Sequence, residues 1–198
     1  MGEERDFDEI RAGHTLIQRM HKYCPDILLL VIPQLEEETR VDDSQIRLLA
    51  TETLGEMYAD KNGSGLVKKY PSTWNAWIVR KNDKDPKIRV AFVDASKELV
   101  GNSDLKGDIT GEFPRSGREW ADCCAEALKM KILDPDDKVR AAVCKLYGAL
   151  DYETAAHHVE KEQLMLVADR CKDKKVSQFY HVAQSLISDI AHRASRSL

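Results

Sequence analysis

The chain has 198 residues, of which 42% are hydrophobic, and its formal net charge is −4 at pH 7. This length and composition are sufficient for a packed core in one or two domains. The longest apolar run, residues 27–32, is far shorter than the roughly 20 residues that a membrane-spanning helix requires, and the acidic N-terminus lacks the apolar segment of a signal peptide. We therefore expect a soluble intracellular protein without membrane contact.

Residues 1–60 predict three helices. Residues 7–24 place apolar side chains at helical spacing, with His14 at the position where an apolar residue is missing. The next helix begins at Pro25-Asp26 and contains Pro33, which we expect to kink it because the ring removes a backbone donor. The third helix follows Asp42-Asp43-Ser44, whose short polar side chains can cap a helix N-terminus. The second and third helices form a pair over residues 26–60.

Further helix pairs are predicted over residues 72–100, 118–150 and 155–192. Residues 101–117 contain four glycines and one proline without periodicity, and so predict an irregular surface loop. We expect a single repeat segment, residues 1–198, whose first unit, residues 7–24, is partial.

A short sequence motif at the start of a helix recurs along the chain. Ile46-Arg47 returns as Ile88-Arg89 after 42 residues and as Val139-Arg140 after 51 more, each time behind an acidic turn. Repeats of about 40–47 residues that contain a helix pair are typical of HEAT-type solenoids. The sequence therefore predicts an all-α HEAT-repeat α-solenoid, in which antiparallel helix pairs stack in a superhelix.

The repeated arginines, Arg47, Arg89 and Arg140, occupy equivalent positions. We expect each to bind the acidic inter-helix turn of a neighbouring repeat and so to stabilise the stacking of repeats. Direct contact with a binding partner is the alternative.

Two tryptophans, Trp74 and Trp77, lie three residues apart and share a helix face. Core packing between repeats is the favoured interpretation. An exposed aromatic anchor for a partner remains open, because tryptophan is enriched at interface hot spots.

Charge is distributed unevenly. Residues 1–60 carry fourteen acidic against six basic side chains, whereas residues 61–90 carry eight basic against two acidic ones. A basic zone on an acidic protein indicates contact with an acidic partner more than general affinity for nucleic acid. A solvated face without a partner is the alternative.

The pattern of cysteines and the absence of known catalytic motifs argue against several classes of protein. The five cysteines form an odd set without a CxxC pair and suit reduced thiols packed as small buried side chains: Cys24, Cys123, Cys124, Cys144 and Cys171. The six histidines lack the spacing of a zinc site, and the chain has no P-loop, GxGxxG or GxSxG motif. We expect a protein that is not an enzyme and binds no metal.

Several runs of the sequence resemble fungal members of one family of cohesin regulators, known as precocious dissociation of sisters protein five. These runs are VIPQLEEE (31–38), IRLLATETLGEM (46–57), KYPSTWNAW (69–77), RKNDKDPKIRVAFV (80–93), LDPDDKVRAAVC (133–144) and DRCKDKK (169–175). The resemblance ends before residues 176–198, where Ser177 stands in place of the repeated arginine.

The resemblance implies a nuclear HEAT-repeat scaffold that binds the cohesin kleisin subunit and the cohesin-releasing factor and maintains sister chromatid cohesion. It implies association with chromatin through cohesin, without sequence-specific binding of nucleic acid, and a chain that is a fragment or truncated form of a longer protein. No cofactor is required, although some family members bind inositol hexakisphosphate on a basic surface. We therefore expect contact with an acidic partner or polyphosphate at Arg80, Lys81, Lys84, Lys87, Lys174 and Lys175. A HEAT or armadillo-type scaffold for nuclear transport or phosphatase assembly is the alternative.

Overall fold

The computed structural model describes residues 2–60, 63–101, 127–150 and 161–170, and within these ranges all regular structure is helical. The described residues up to Ala95 form one compact unit, and those from Ser96 onward belong to a second. The α-helices are α1 (Gly2–Tyr23), α2 (Ile32–Glu38), α3 (Ser44–Ala59), α4 (Gly63–Lys69), α5 (Pro71–Val79), α6 (Pro86–Gly101), α7 (Asp137–Ala149) and α8 (Lys161–Arg170). Short 3-10 helices lie at Pro25–Leu30, Arg80–Asn82 and Met130–Leu133.

Equivalent helices pack side by side in the first unit. Helix α1 packs on α3, and α2 packs on both α3 and α5. The Glu36 carboxylate joins α2 to α5, because its Oε2 accepts hydrogen bonds from the hydroxyls of Ser72 at 2.9 Å and Thr73 at 2.8 Å. This neighbour-to-neighbour arrangement is the one that helix-pair repeats adopt.

Acidic turns begin the second helix of a pair by capping it. The Asp43 carboxylate accepts hydrogen bonds from the backbone N–H groups of Gln45 and Ile46, at 2.7 and 3.3 Å. Asp136 does the same for Lys138 and Val139 at 2.9 and 3.3 Å. The predicted acidic cap before Ile46 is therefore confirmed, since these bonds satisfy donors that the helix itself leaves unpaired.

Three local expectations were wrong. Pro33 does not kink a long helix: the chain forms a 3-10 helix at Pro25–Leu30, and Pro33 lies in the first turn of α2, where a missing N–H breaks no helical hydrogen bond. Residues 63–69, which the sequence left outside any unit, form α4. Cys24 is exposed, whereas Cys144 is buried as expected.

Other expectations fall outside the described residues. These are the loop at 101–117 after Gly101, most of the last unit at 155–192, and Cys123, Cys124 and Cys171. The division into a single repeat segment with these units stays a prediction.

An aromatic cluster fills the core of the first unit. Trp77 is 0% exposed, and its ring centroid lies 4.7 Å from Phe92, 5.2 Å from Trp74 and 5.4 Å from Tyr58. The Trp77 indole Nε1–H donates to the backbone oxygen of Thr51 at 3.0 Å. Trp74 is only 5% exposed, so the alternative of an exposed aromatic anchor at Trp74 and Trp77 loses its basis. Both rings belong to the core because their neighbours on three helices enclose them.

The second unit has its own apolar core. Helix α7 packs against α8 and against the 3-10 helix at Met130–Leu133. The buried side chains come from all three elements: Ile132, Val139, Val143, Leu146, Tyr147, Leu164 and Val167.

Gly55 marks a close approach of α3 to α6. A Cβ atom at this position would lie 2.5 Å from the Cβ of Ala95, whereas a Cβ at Gly13 of α1 would meet nothing within 4 Å. We expect Gly55→Ala to lower the free energy of unfolding by about 1–3 kcal/mol, because two helix backbones must separate.

Gly13→Ala is the matched control and should raise the free energy of unfolding by about 0.5–1 kcal/mol, because alanine favours the helix and no contact opposes it. Urea unfolding of both variants measures the difference. Equal stabilisation by the two substitutions would contradict the close approach.

Candidate functional site

The turn between α5 and α6 surrounds a buried carboxylate, Asp83. The guanidinium of Arg47 donates from Nε to Asp83 Oδ2 at 3.1 Å and from Nη2 to Oδ1 at 3.2 Å. Both residues are buried, at 3% and 7% exposure. Arg47 also donates to the backbone oxygens of Val41 and Asp42 at 2.8 and 2.7 Å. One side chain therefore joins the turn before α3 to the turn before α6.

Asp83 receives two further hydrogen bonds. Arg80 Nη1 donates to its Oδ2 at 2.8 Å, and the backbone N–H of Asp85 donates to its Oδ1 at 3.0 Å. Burial alone would raise the pKa of Asp83, but the hydrogen bonds from Arg47 and Asp85 and the two positive charges hold it below its usual value. Asp83 is therefore ionised at neutral pH.

Arg89 and Arg140 repeat part of this pattern. Arg89 Nη1 donates to the backbone oxygens of Asp83 and Lys84 at 2.8 and 3.4 Å. Arg140 Nη1 donates to those of Asp134 and Pro135 at 2.7 and 3.0 Å. All three repeated arginines thus bind the turn that precedes their own helix, and Arg47 additionally binds the turn of the next pair. Their contribution to repeat stacking stays a prediction.

The predicted basic zone divides into buried and accessible side chains. Arg80 is committed to Asp83, and its side chain is only 16% exposed. Lys84 has a side chain that is 74% exposed, with its Nζ 4.0 Å from the Asp42 carboxylate. Lys87 is exposed and Lys81 is partly exposed. Of the six residues predicted to contact a partner, Lys81, Lys84 and Lys87 are therefore accessible, while Lys174 and Lys175 lie outside the described residues.

A groove of about 540 Å³ opens between α1 and α3. Its wall on α1 includes Phe7, Arg11 and His14, its wall on α3 includes Leu48, Leu49, Glu52, Thr53 and Glu56, and Lys87 of α6 also lines it. The sequence pattern showed no sign of this groove, because its two walls come from helices that are separated by twenty residues.

The floor of the groove is polar. His14, at 4% exposure, has its Nδ1 2.9 Å from the Thr53 hydroxyl and its Nε2 3.0 Å from the Glu38 carboxylate. Gln34 Nε2 donates to the other oxygen of Glu38 at 3.0 Å. Burial would raise the pKa of Glu38, but the hydrogen bonds from His14 and Gln34 lower it below its usual value. His14, which stands where the helical pattern would place an apolar residue, thus links α1, α2 and α3.

The described ranges contain no group of three or more side chains placed to hold a metal ion. None of their helices is long and apolar enough to cross a membrane.

The sequence matches the model of a protein family, sister chromatid cohesion protein PDS5, over residues 2–182. It is 30% identical over 190 residues to sister chromatid cohesion protein pds5 of Schizosaccharomyces pombe, which covers 96% of this chain and 14% of that protein. It is 29% identical to PDS5 homolog B-A of Xenopus laevis, over 78% of this chain and 9% of that protein. For PDS5 homolog A of Mus musculus, the identity is 28% over 81% of this chain and 11% of that protein. The chain spans less than a sixth of the length of each of these relatives.

A solved structure of a Pds5–Scc1 complex contains a chain of the same fold. The match covers 97% of this chain and 27% of that chain, with a TM-score of 0.74 and 15% sequence identity. It confirms the predicted all-α HEAT-repeat class. The family match likewise confirms the resemblance that the tryptophan and repeat phrases carry. The chain belongs to the PDS5 family of sister chromatid cohesion proteins.

Proposed function

We propose that this chain is part of a non-enzymatic HEAT-repeat scaffold that binds the kleisin subunit of cohesin and supports sister chromatid cohesion in the nucleus. Membership of the PDS5 family is the observation that carries this proposal. The fold shared with a chain of the Pds5–Scc1 complex supports it further. Repeats of this kind present extended surfaces suited to protein partners.

The accessible lysines supply a chemical basis for binding. Lys84 and Lys87 lie at the beginning of α6 and are exposed, so they can meet an acidic segment of a partner without displacing the buried Asp83 network. Inositol hexakisphosphate is a proposed ligand of the same lysines, and the cohesin-releasing factor is a proposed second partner. The family match favours these partners over a transport or phosphatase scaffold.

We expect Lys84→Glu/Lys87→Glu to weaken binding of a kleisin fragment about tenfold, because two exposed attractions become repulsions. The measurement is fluorescence anisotropy with overlapping fragments of the Scc1 kleisin at two salt concentrations. Inositol hexakisphosphate can be titrated against the same variant.

The matched control is Lys138→Glu/Lys145→Glu, which reverses two exposed lysines on α7 and changes the net charge equally. It should leave kleisin affinity unchanged. Equal weakening by both double variants would place the interaction elsewhere, and absence of binding by the unchanged chain would contradict the proposed function.

A further inference from the structure

The groove between α1 and α3 is lined by polar side chains where helix packing alone would favour apolar ones. Leucine or isoleucine at His14 and Thr53 would fill such a space, since protein interiors pack closely. Here His14 and Thr53 are buried at 4% and 1% exposure and hydrogen-bond each other. Because burial of unpaired polar groups is costly, these two side chains satisfy each other where an apolar pair would otherwise pack.

The basic and acidic side chains of the groove lie at opposite ends of it. Lys87 lines the end of the groove at which α3 and α6 begin. The beginnings of these two helices are close together, because Lys84 Nζ, just before α6, lies 4.0 Å from the carboxylate of Asp42, just before α3. Gln45, also at the beginning of α3, lines the groove there. Glu56 lines the groove eleven positions further along α3, which corresponds to about 16 Å at the rise of an α-helix. The partial positive charge of the helix N-termini adds to the positive end.

The negative end is only partly neutralised within the described chain, because the charge of Arg11 acts on Glu52. Glu52 and Glu56 are exposed and form no salt bridge with any described residue. Burial and the charge of Glu56 raise the pKa of Glu52, with a further contribution from Asp94 and opposing ones from Arg11 and His14. A bound cation would relieve this repulsion.

Apolar surface lies between the two ends. Leu48 and Leu49 line the groove on α3 and are half-buried. On the opposite wall the Arg11 guanidinium lies over the Phe7 ring, 5.0 Å from its centroid. The groove therefore offers an acid-binding end, a base-binding end, and between them the apolar side chains of Leu48 and Leu49 with the Arg11–Phe7 pair on the opposite wall.

We propose that this groove binds an extended peptide segment of a partner protein, with an acidic side chain at Lys87 and a basic side chain at Glu52 and Glu56. An extended chain advances about 3.3 Å per residue, so about five residues separate the two charges. Small apolar side chains between them contact Leu48 and Leu49. This inference rests on the proposed scaffold function and specifies the surface and the chemistry of one partner segment.

The test measures binding of synthetic peptides to the 198-residue chain by fluorescence anisotropy. The test peptide carries one acidic and one basic residue separated by about five positions, with alanine and leucine between them. Control peptides carry two acidic, two basic or two neutral residues at the same positions. We expect the unchanged chain to prefer the mixed peptide about fivefold over the doubly acidic one.

A charge switch makes the result independent of simple loss of folding. Glu52→Lys/Glu56→Lys should reverse the preference toward the doubly acidic peptide, a gain of binding that an unfolded variant cannot show. The matched control is Glu37→Lys/Glu98→Lys, which alters two exposed glutamates outside the groove by the same charge. It should keep the preference for the mixed peptide.

Besides the absence of any peptide preference, two outcomes would overturn the inference. One is an unchanged order of peptide preference in Glu52→Lys/Glu56→Lys. The other is complete displacement of the peptide by free glutamate and lysine, which would indicate a site for small molecules. Kleisin binding by the same variants separates this inference from the proposed function. If the chain binds kleisin but shows no preference among the peptides, only the proposal for the groove is overturned. If the peptide preference switches as expected but kleisin does not bind, only the proposed binding of kleisin is overturned.

Discussion

Trp77→Ala is expected to lower the free energy of unfolding of the first unit by about 3–5 kcal/mol, the range for truncating a large buried aromatic residue. Trp77 is 0% exposed and lies within about 5 Å of three other aromatic rings. The substitution removes these contacts and also leaves the Thr51 backbone oxygen without its indole donor. Both losses act in the same direction, because a cavity and an unpaired buried acceptor each destabilise the fold.

Urea unfolding followed by circular dichroism measures this effect without relying on tryptophan fluorescence. Leu30→Ala is the control, since Leu30 is 90% exposed and its truncation should change stability by less than about 0.5 kcal/mol. A loss at Trp77 no larger than that at Leu30 would show that the aromatic cluster is not the core of this unit.

Arg47→Met is expected to lower the free energy of unfolding by about 3–5 kcal/mol, because it leaves the buried carboxylate of Asp83 without its main partner. The side chains of this pair are 4% and 2% exposed, so water cannot replace the lost guanidinium. The backbone oxygens of Val41 and Asp42 lose a donor as well. Arg80 remains at 2.8 Å from Asp83 and should keep the loss within this range.

Arg40→Met is the matched control. Arg40 forms two ion pairs, with Glu36 and Glu37, but its side chain is 49% exposed. Exposed pairs of this kind contribute only about 0–1 kcal/mol. A similar loss in both variants would contradict the assignment of Arg47 as the link between successive pairs.

Acid provides a second measurement on the Arg47 variant. The lowered pKa of Asp83 means that its interactions stabilise the fold above its ordinary pKa of 3.8, and that this stabilisation is lost as the pH falls through the lower folded value. The difference in stability between the unchanged chain and Arg47→Met should therefore narrow below about pH 4. A difference that stays constant with pH would exclude the ionised Asp83 as its source.

The sequence by itself determined the class of the fold and the start of its repeated helices. Periodic apolar residues indicate helices because one face of each must be buried. Asp43 and Asp136 indicate helix starts because a short carboxylate satisfies local N–H groups. The motifs around Ile46, Ile88 and Val139 indicate the repeat, since each copy starts a helix directly after an acidic turn. All of these signals depend on neighbours within a few residues.

Only the tertiary structure decided which polar side chains are already bonded within the protein and which are accessible to a partner. Arg80 and Lys84 look equivalent in the sequence, yet Arg80 is committed to Asp83 while Lys84 is 74% exposed. His14 breaks the apolar pattern of its helix, and its bonds to Glu38 and Thr53 join three helices. Periodicity assigns a residue to a face of its own helix, but the partner on that face belongs to a distant part of the chain. Burial, ion pairing and the groove therefore emerge only when the helices pack together.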